Sequence, residues 1–199
     1  QKGKGRSYAN KQVIYVENDE PNYLYYIKSG QVKTYKRFKD GRELSSNIYK
    51  DGEFFGYESL CCGVAYADNA ATLADTELLL VPKPDFMDAL FNHQEMATAF
   101  IELLSGNIRF KEDQMLKLAY FSVRKRVAEA LVQLARKFAK PEEDTCTLKI
   151  SRDDLAAFVG TASETVSRML ADFKEEKLIE KHGNAIYVVS IDKLSQIKQ

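Results

Sequence analysis

The hydrophobic period of this chain changes once along its length, and that change bounds the architecture. From Lys11 to about Val81 the runs QVIYVEND, NYLYYIKSG, QVKTYKRF, ELSSNIY and TELLLVP are rich in β-branched and aromatic residues and read as strands. Between them stand Asn18-Asp19-Glu20-Pro21, Ser29-Gly30, Asp40-Gly41 and Lys50-Asp51-Gly52, each a turn by its chemistry. Short strands at such even spacing predict a β-barrel or jelly roll. From Pro84 to Ala119 the pattern turns helical, and Ala97, Ile101, Leu104, Ile108, Lys111, Met115 and Leu118 recur at alternating spacings of four and three. A stripe so narrow and long fits a second copy of the chain better than the chain's own roll. Ala97, Ile101, Leu104, Ile108, Met115 and Leu118 are therefore read as a dimer seam, with Lys111 as its polar interruption.

Beyond the stripe, Ser122 is a cap for the helix VRKRVAEALVQLARKF, which makes Tyr120-Phe121 a hinge. A polar loop follows at Lys140-Pro141-Glu142-Glu143-Asp144, then a short strand TLKI, two short helices and a hairpin LIEKHGNAIYVV turned at Gly183-Asn184. The expected fold is α+β in three parts. They are a β domain over residues 1–92, a dimerisation helix and hinge over 93–121, and a small α+β domain with a β-wing over 122–199.

With 45% hydrophobic residues among 199, the chain carries enough apolar material for real cores. Lys+Arg and Asp+Glu both total 29, so no global basic field exists to attract nucleic acid, and any such binding needs a local patch. Three cysteines, two of them adjacent at Cys61-Cys62, make no disulfide framework and point to a reducing cytoplasm. No apolar run approaches membrane-spanning length, and there is no secretory signal, so no membrane partner is expected. The start at Gln1 inside a polar stretch suggests that a segment upstream has been removed.

The most specific chemistry lies in KISRDDLAAFVGTASETVSRMLADF. Ser151 caps a helix that Gly160 ends, and Thr161-x-x-Glu164 reads as a capping box that starts the next. Two short helices joined by a glycine turn make a helix-turn-helix. In the second helix Val166, Met169, Leu170 and Phe173 form the buried face, so Ser163, Glu164, Ser167 and Arg168 point outward from its N-terminal half. That is the part of a recognition helix that reaches base edges. Ser151 and Arg152 open the first helix where a phosphate would pass, and Thr165, with Lys181 and His182 near the hairpin tip, completes the set of backbone contacts.

On these residues the chain resembles the Crp/Fnr family of bacterial transcription factors. LKISRDDLAAFVGTASETVSRMLADFKEEKLIEKHGNAIYVV is similar to that family's winged helix-turn-helix, while VIYVENDEPNYLYYIKSGQVKTYK and GEFFGYESL resemble its cyclic-nucleotide-binding-type β-roll. The resemblance implies a homodimer on a palindromic operator in double-stranded DNA, and a contact with RNA polymerase where the protein activates. It also implies that Glu164 and Arg168 read bases, Arg168 donating to guanine O6/N7 and Glu164 accepting from cytosine N4. Ser163 stands where many cyclic-AMP-type members have a second arginine. The E-x-x-S-R form, with Ser167 before Arg168, matches the fumarate-nitrate-regulator branch and implies TTGA-like rather than TGTGA half-sites. Some members with a similar roll and a similar SVRKRVAEAL hinge carry a phosphoacceptor receiver domain upstream, and this resemblance implies that the chain is the C-terminal part of such a protein.

In family members that bind cyclic AMP, a Gly-Glu pair and an Arg-Ser pair hold the ribose and the cyclic phosphate. Here Asp68-Asn69 falls where Arg-Ser would be, and Gly56 with Tyr57 or Glu58 near the other pair. A carboxylate at the phosphate position turns attraction into repulsion, so cyclic AMP and cyclic GMP are not expected as effectors. Lys111 and Glu112 fall where the family contacts the nucleotide base, which leaves an unknown small effector open. No cofactor is identified. Cys61, Cys62 and Cys146 are not the cysteine set of an iron–sulfur cluster, and neither histidine suggests a haem ligand. A cupin-type metalloenzyme needs histidines converging on a metal, yet the chain has only His93 and His182, so no enzyme activity is expected. The alternatives are a cyclic-nucleotide-responsive regulator of the same family, and a β-roll ligand- or protein-binding module without DNA binding.

Overall fold

A computed structural model describes residues 3–140, 142–183 and 185–198. Pro141 and Asn184, assigned above to a polar loop and a hairpin turn, lie outside the described residues. Contacts divide the chain into two compact units, one ending at Lys111 and one beginning at Glu112.

The first unit is built on two antiparallel four-stranded sheets. One has the order β1 (Lys4–Tyr8), β8 (Thr76–Pro82), β3 (Tyr23–Ser29), β6 (Phe54–Phe55), and the other β2 (Val13–Tyr15), β7 (Asn69–Thr72), β4 (Gln31–Arg37), β5 (Glu43–Lys50). This is the expected roll. Strand β1 was not anticipated, because KGRSY buries only Tyr8 and so carries no alternation to read. Between β6 and β7 sits α1 (Tyr57–Cys62), a short helix that carries Cys61 and Cys62. Inside the roll, Tyr8, Tyr15, Tyr25, Tyr49, Tyr66 and Phe55 pack with Ile27, Val32, Leu78 and Leu80 as one core. The Tyr15 and Tyr66 rings stack with centroids 3.7 Å apart, and Tyr25 stacks on Phe55 at 4.9 Å.

The helical stretch is two helices, α2 (Lys83–Asn92) and α3 (Gln94–Tyr120). His93 separates them in an extended conformation, φ −126° and ψ 104°, so the expected unbroken helix from Pro84 is interrupted there. Leu104, with Phe100 and Leu103, packs against Leu24, Tyr57, Leu60 and Phe86 of its own roll, and Ala97 is half-buried. Ile101, Ile108, Met115 and Leu118 stay 62%, 60%, 70% and 48% exposed. No residue of α3 is buried outright. The stripe therefore divides: part of it leans on the roll and part faces outward.

In the second unit Ser122 caps α4 (Val123–Phe138), its Oγ accepting from the Lys125 amide at 3.2 Å. Strand β9 (Cys146–Leu148) joins β11 (Ala185–Val188), which pairs in turn with β10 (Ile179–His182), so the wing is a three-stranded antiparallel sheet. Helices α5 (Arg152–Val159) and α6 (Ser163–Glu175) lie between β9 and β10 in the chain, and α7 (Ile191–Ser195) closes it. Leu131, Leu134, Leu155, Leu170, Phe173 and Ile179 are almost wholly buried in this unit. No helix among the described residues is long and apolar enough to cross a membrane.

Candidate nucleic-acid interface and effector pocket

Helix α5 begins as expected. The Asp154 amide donates to Ser151 Oγ at 3.1 Å, and the Ser151 hydroxyl donates to Asp154 Oδ2 at 2.5 Å. Gly160 ends the helix in the left-handed region at φ 74°, where a side chain would be strained. The expected capping box at Thr161 does not form. The amides of Gly160 and Thr161 both donate to the Ala156 carbonyl, at 2.9 and 3.1 Å, so Thr161 finishes the preceding helix. The N-cap of α6 is Ala162, with no side-chain bond.

Val166, Leu170 and Phe173 of α6 are fully buried at a spacing of four and three, whereas Met169 is only half-buried. Glu164 and Arg168, one turn apart, are therefore exposed on the outer face, with Thr165 and Ser167 partly exposed beside them. Ser163 has a second engagement: its hydroxyl donates to Asp153 Oδ1 of α5 at 2.5 Å, linking the first turns of the two helices. Asp153 was not singled out from the sequence, since ten intervening residues hide the pairing. Arg152 is exposed at the first position of α5. Lys181 and His182 are exposed at the end of β10, where His182 Nε2 lies 3.2 Å from Glu180 Oε2.

In the roll, Gly56 has φ 80°, and a Cβ there would meet the Tyr25 ring at 3.0 Å, so its backbone and packing explain the glycine. Of the two residues left open for the ribose position, Tyr57 is buried, and its hydroxyl accepts from Asn107 Nδ2. Glu58 is exposed, and its Oε1 lies 3.9 Å from Lys111 Nζ. Asn69 is occupied by the fold, accepting from the Glu17 amide at 3.1 Å and donating to the Tyr35 carbonyl at 3.2 Å. Glu112 is exposed and belongs to the second unit. The thiol of Cys61 is pushed up by burial, and a higher pKa leaves less reactive thiolate.

Asp68 is half-buried and accepts from the Tyr15 hydroxyl at 3.3 Å and from Ser46 Oγ at 3.2 Å. Burial raises its pKa above the usual aspartate value, and the Glu58 charge adds to this. The hydroxyls of Ser46 and Tyr15 and the Lys111 ammonium pull the other way. A carboxyl whose pKa is higher folded than unfolded favours folding most in its protonated form. That contribution is full below the unfolded value, about 3.9, and is lost as pH rises through the folded one. Asp68→Asn keeps a polar group in place and removes the charge. Its melting temperature relative to the wild-type chain is expected to rise between pH 4 and pH 7, and melting curves across that range would show it. A constant difference would mean that Asp68 is not strained by its charge.

Comparison with known proteins agrees with this geometry. The family model for the cyclic nucleotide-binding domain matches residues 5–93, and that for the Crp-like helix-turn-helix domain matches residues 125–197. A cyclic AMP receptor protein from Thermus thermophilus is 29% identical over 192 residues, 96% of this chain and 87% of the relative. The structure of FixK2 from Bradyrhizobium japonicum is similar at a TM-score of 0.89 and 27% identity, covering 99% of this chain and 98% of that one. A transcriptional regulator of the CRP/FNR family, also from Thermus thermophilus, is similar at a TM-score of 0.76 and 25% identity, covering 98% and 100%. With the roll, the exposed recognition face and both domain families in agreement, the chain belongs to the Crp/Fnr family and is a DNA-binding transcription regulator of that type.

Proposed function

We propose that this regulator acts as a homodimer on a palindromic operator with TTGA-like half-sites, and that its roll responds to something other than cyclic AMP or cyclic GMP. The observation that carries the first part is the pairing of Glu164 and Arg168 on one exposed face of α6, backed by fully buried Val166, Leu170 and Phe173. An arginine fork matches guanine O6/N7, and a carboxylate one turn earlier accepts from cytosine N4. Ser163 and Ser167 flank them without charge. Ser151, Arg152, Thr165, Lys181 and His182 supply backbone contacts in this reading. The exposed part of the α3 stripe, Ile101, Ile108, Met115 and Leu118, supports the dimer.

Asp68 supports the second part. A half-buried carboxylate held by two hydroxyls repels a cyclic phosphate, and the aromatic core of the roll leaves its interior filled by the protein's own rings. The competing reading, a cyclic-nucleotide response, has in its favour the family match over residues 5–93 and a relative named for cyclic AMP. Domain limits at 1–92, 93–121 and 122–199 are proposed with this function, the break at His93 supporting the first of them.

One competition experiment tests both parts. Fluorescence anisotropy on duplexes with inverted TTGA or TGTGA half-sites, each with and without millimolar cyclic AMP or cyclic GMP, is expected to favour TTGA and to be indifferent to nucleotide. Preference for TGTGA sinks the half-site, and tightening by either nucleotide sinks the account of Asp68.

A further inference from the structure

Three consecutive cations, Arg124, Lys125 and Arg126, occupy the first turn of α4, and that turn holds no acidic residue. That is the wrong end of a helix for them, because the N-terminal end of the macrodipole disfavours positive charge. A local rule broken this plainly calls for a compensating contact elsewhere. Successive helical side chains point about 100° apart, so three in a row fan outward to different neighbours.

Each of the three reaches a different helix of the DNA-binding unit near its C-terminal end. Arg124 Nη2 donates to both carboxylate oxygens of Glu176, the C-cap of α6, at 2.6 and 2.7 Å. Its Nη1 lies 3.7 Å from Asp172 Oδ2, and its guanidinium carbon lies 4.8 Å from the centroid of the Phe173 ring. Lys125 Nζ donates to the carbonyl of Ser195, the last residue of α7, at 3.1 Å, besides pairing with Glu129 Oε1 of its own helix at 3.0 Å. Arg126 Nη1 donates to the carbonyl of Val159, the last residue of α5, at 3.3 Å. Among the described residues its Nε is buried with no hydrogen-bond partner, so the guanidinium is held there against a desolvation cost.

We infer that Arg124-Lys125-Arg126 is a positioning hub that sets how the recognition helix is presented to DNA, with Arg124 as its principal member and without touching DNA itself. The inference rests on the DNA-reading role of α6. Phe173, on which Arg124 sits, is part of the buried face opposite Glu164 and Arg168. Isolated surface ion pairs contribute little, but a two-oxygen grip shared with a second carboxylate and an aromatic ring is the exception with defined geometry. Tilting α6 moves the base-reading side chains out of register while leaving the backbone contacts largely intact. Arg124 is therefore a determinant of specificity more than of raw affinity.

The test uses the full chain and the tightest duplex that the wild-type protein recovers from a random pool, compared with a scrambled duplex across a salt series. Arg124→Gln is expected to lower the ratio of selected to scrambled affinity by about tenfold, the scale of one base contact, with the salt slope unchanged. Arg124→Lys should fall between Arg124→Gln and wild type. The double variant Arg124→Gln/Glu176→Gln should lose no more than Arg124→Gln alone. Equal losses on both duplexes, with a salt slope reduced by about one, would make Arg124 a phosphate contact and overturn the inference. So would an unchanged ratio. Thermal unfolding, without DNA, of the wild-type chain, Arg124→Gln, Glu176→Gln and their double variant measures the coupling of positions 124 and 176 directly. Additive effects there refute the clamp, even if the wild-type chain selects no duplex and the DNA-reading role itself fails.

Discussion

Arg168→Ala is expected to weaken binding to the operator by about 1–3 kcal/mol per half-site and to make the guanine it reads replaceable by other bases. The effect is specific because Arg168 is exposed while Val166, Leu170 and Phe173 fix the helix from behind. Truncation removes the two-pronged donor and leaves its scaffold standing. Unfolding free energy should move by no more than about 0.5 kcal/mol, as for other surface changes. Affinity for scrambled DNA should fall far less than affinity for the operator. Anisotropy measured on the operator and on versions substituted at the guanine separates these outcomes. A uniform loss across all sequences would reassign Arg168 to the DNA backbone.

Ile108→Glu is expected to split the proposed dimer. A two-fold interface uses the same patch on both copies, so one substitution introduces two carboxylates into a single apolar stripe. Ile108 is 60% exposed in one copy and lies between Leu104 and Lys111 along the stripe, and Lys111 already faces Glu58 with its Nζ 3.9 Å from Oε1. Burying two like charges there, against one lysine per copy that already faces Glu58, costs about 3 kcal/mol or more, at least a hundredfold in the dimer dissociation constant. Sedimentation velocity should find single chains at concentrations where the wild-type protein is a dimer. Operator affinity falls with it, because one chain grips only one half-site. Ile108→Val should behave as wild type, and an Ile108→Glu protein that still sediments as a dimer rules out this seam.

How much of this was legible in the sequence depended on whether the signal was local. Strands β3, β4, β5 and β8 announced themselves through β-branched and aromatic runs, and the helix-turn-helix through Ser151, Gly160 and the spacing of Val166, Leu170 and Phe173. Strand β1 was missed because four of its five residues are exposed and polar or small. The cap of α6 was misassigned to Thr161 because Gly160 draws that residue's amide back to Ala156, a contest that the pattern Thr-x-x-Glu does not display. The roll's site was half legible. The charge at Asp68 was plain, but its hydroxyl partners Tyr15 and Ser46 lie 53 and 22 residues away. The contacts of Arg124, Lys125 and Arg126 span 52, 70 and 33 residues. Only the unfavourable placement of three cations at a helix start hinted at them.

The lack of any buried side chain on α3 has a consequence for gene dosage. In the proposed dimer a helix of 27 residues, about 40 Å long, completes its packing on a second copy, so the DNA-competent species forms by mass action. Below the dimer dissociation constant its concentration grows as the square of the amount of chain. Doubling expression then quadruples the species that occupies a promoter, and halving it cuts that species to a quarter. Regulation can thus act through synthesis and turnover of the chain alone, as a threshold on abundance.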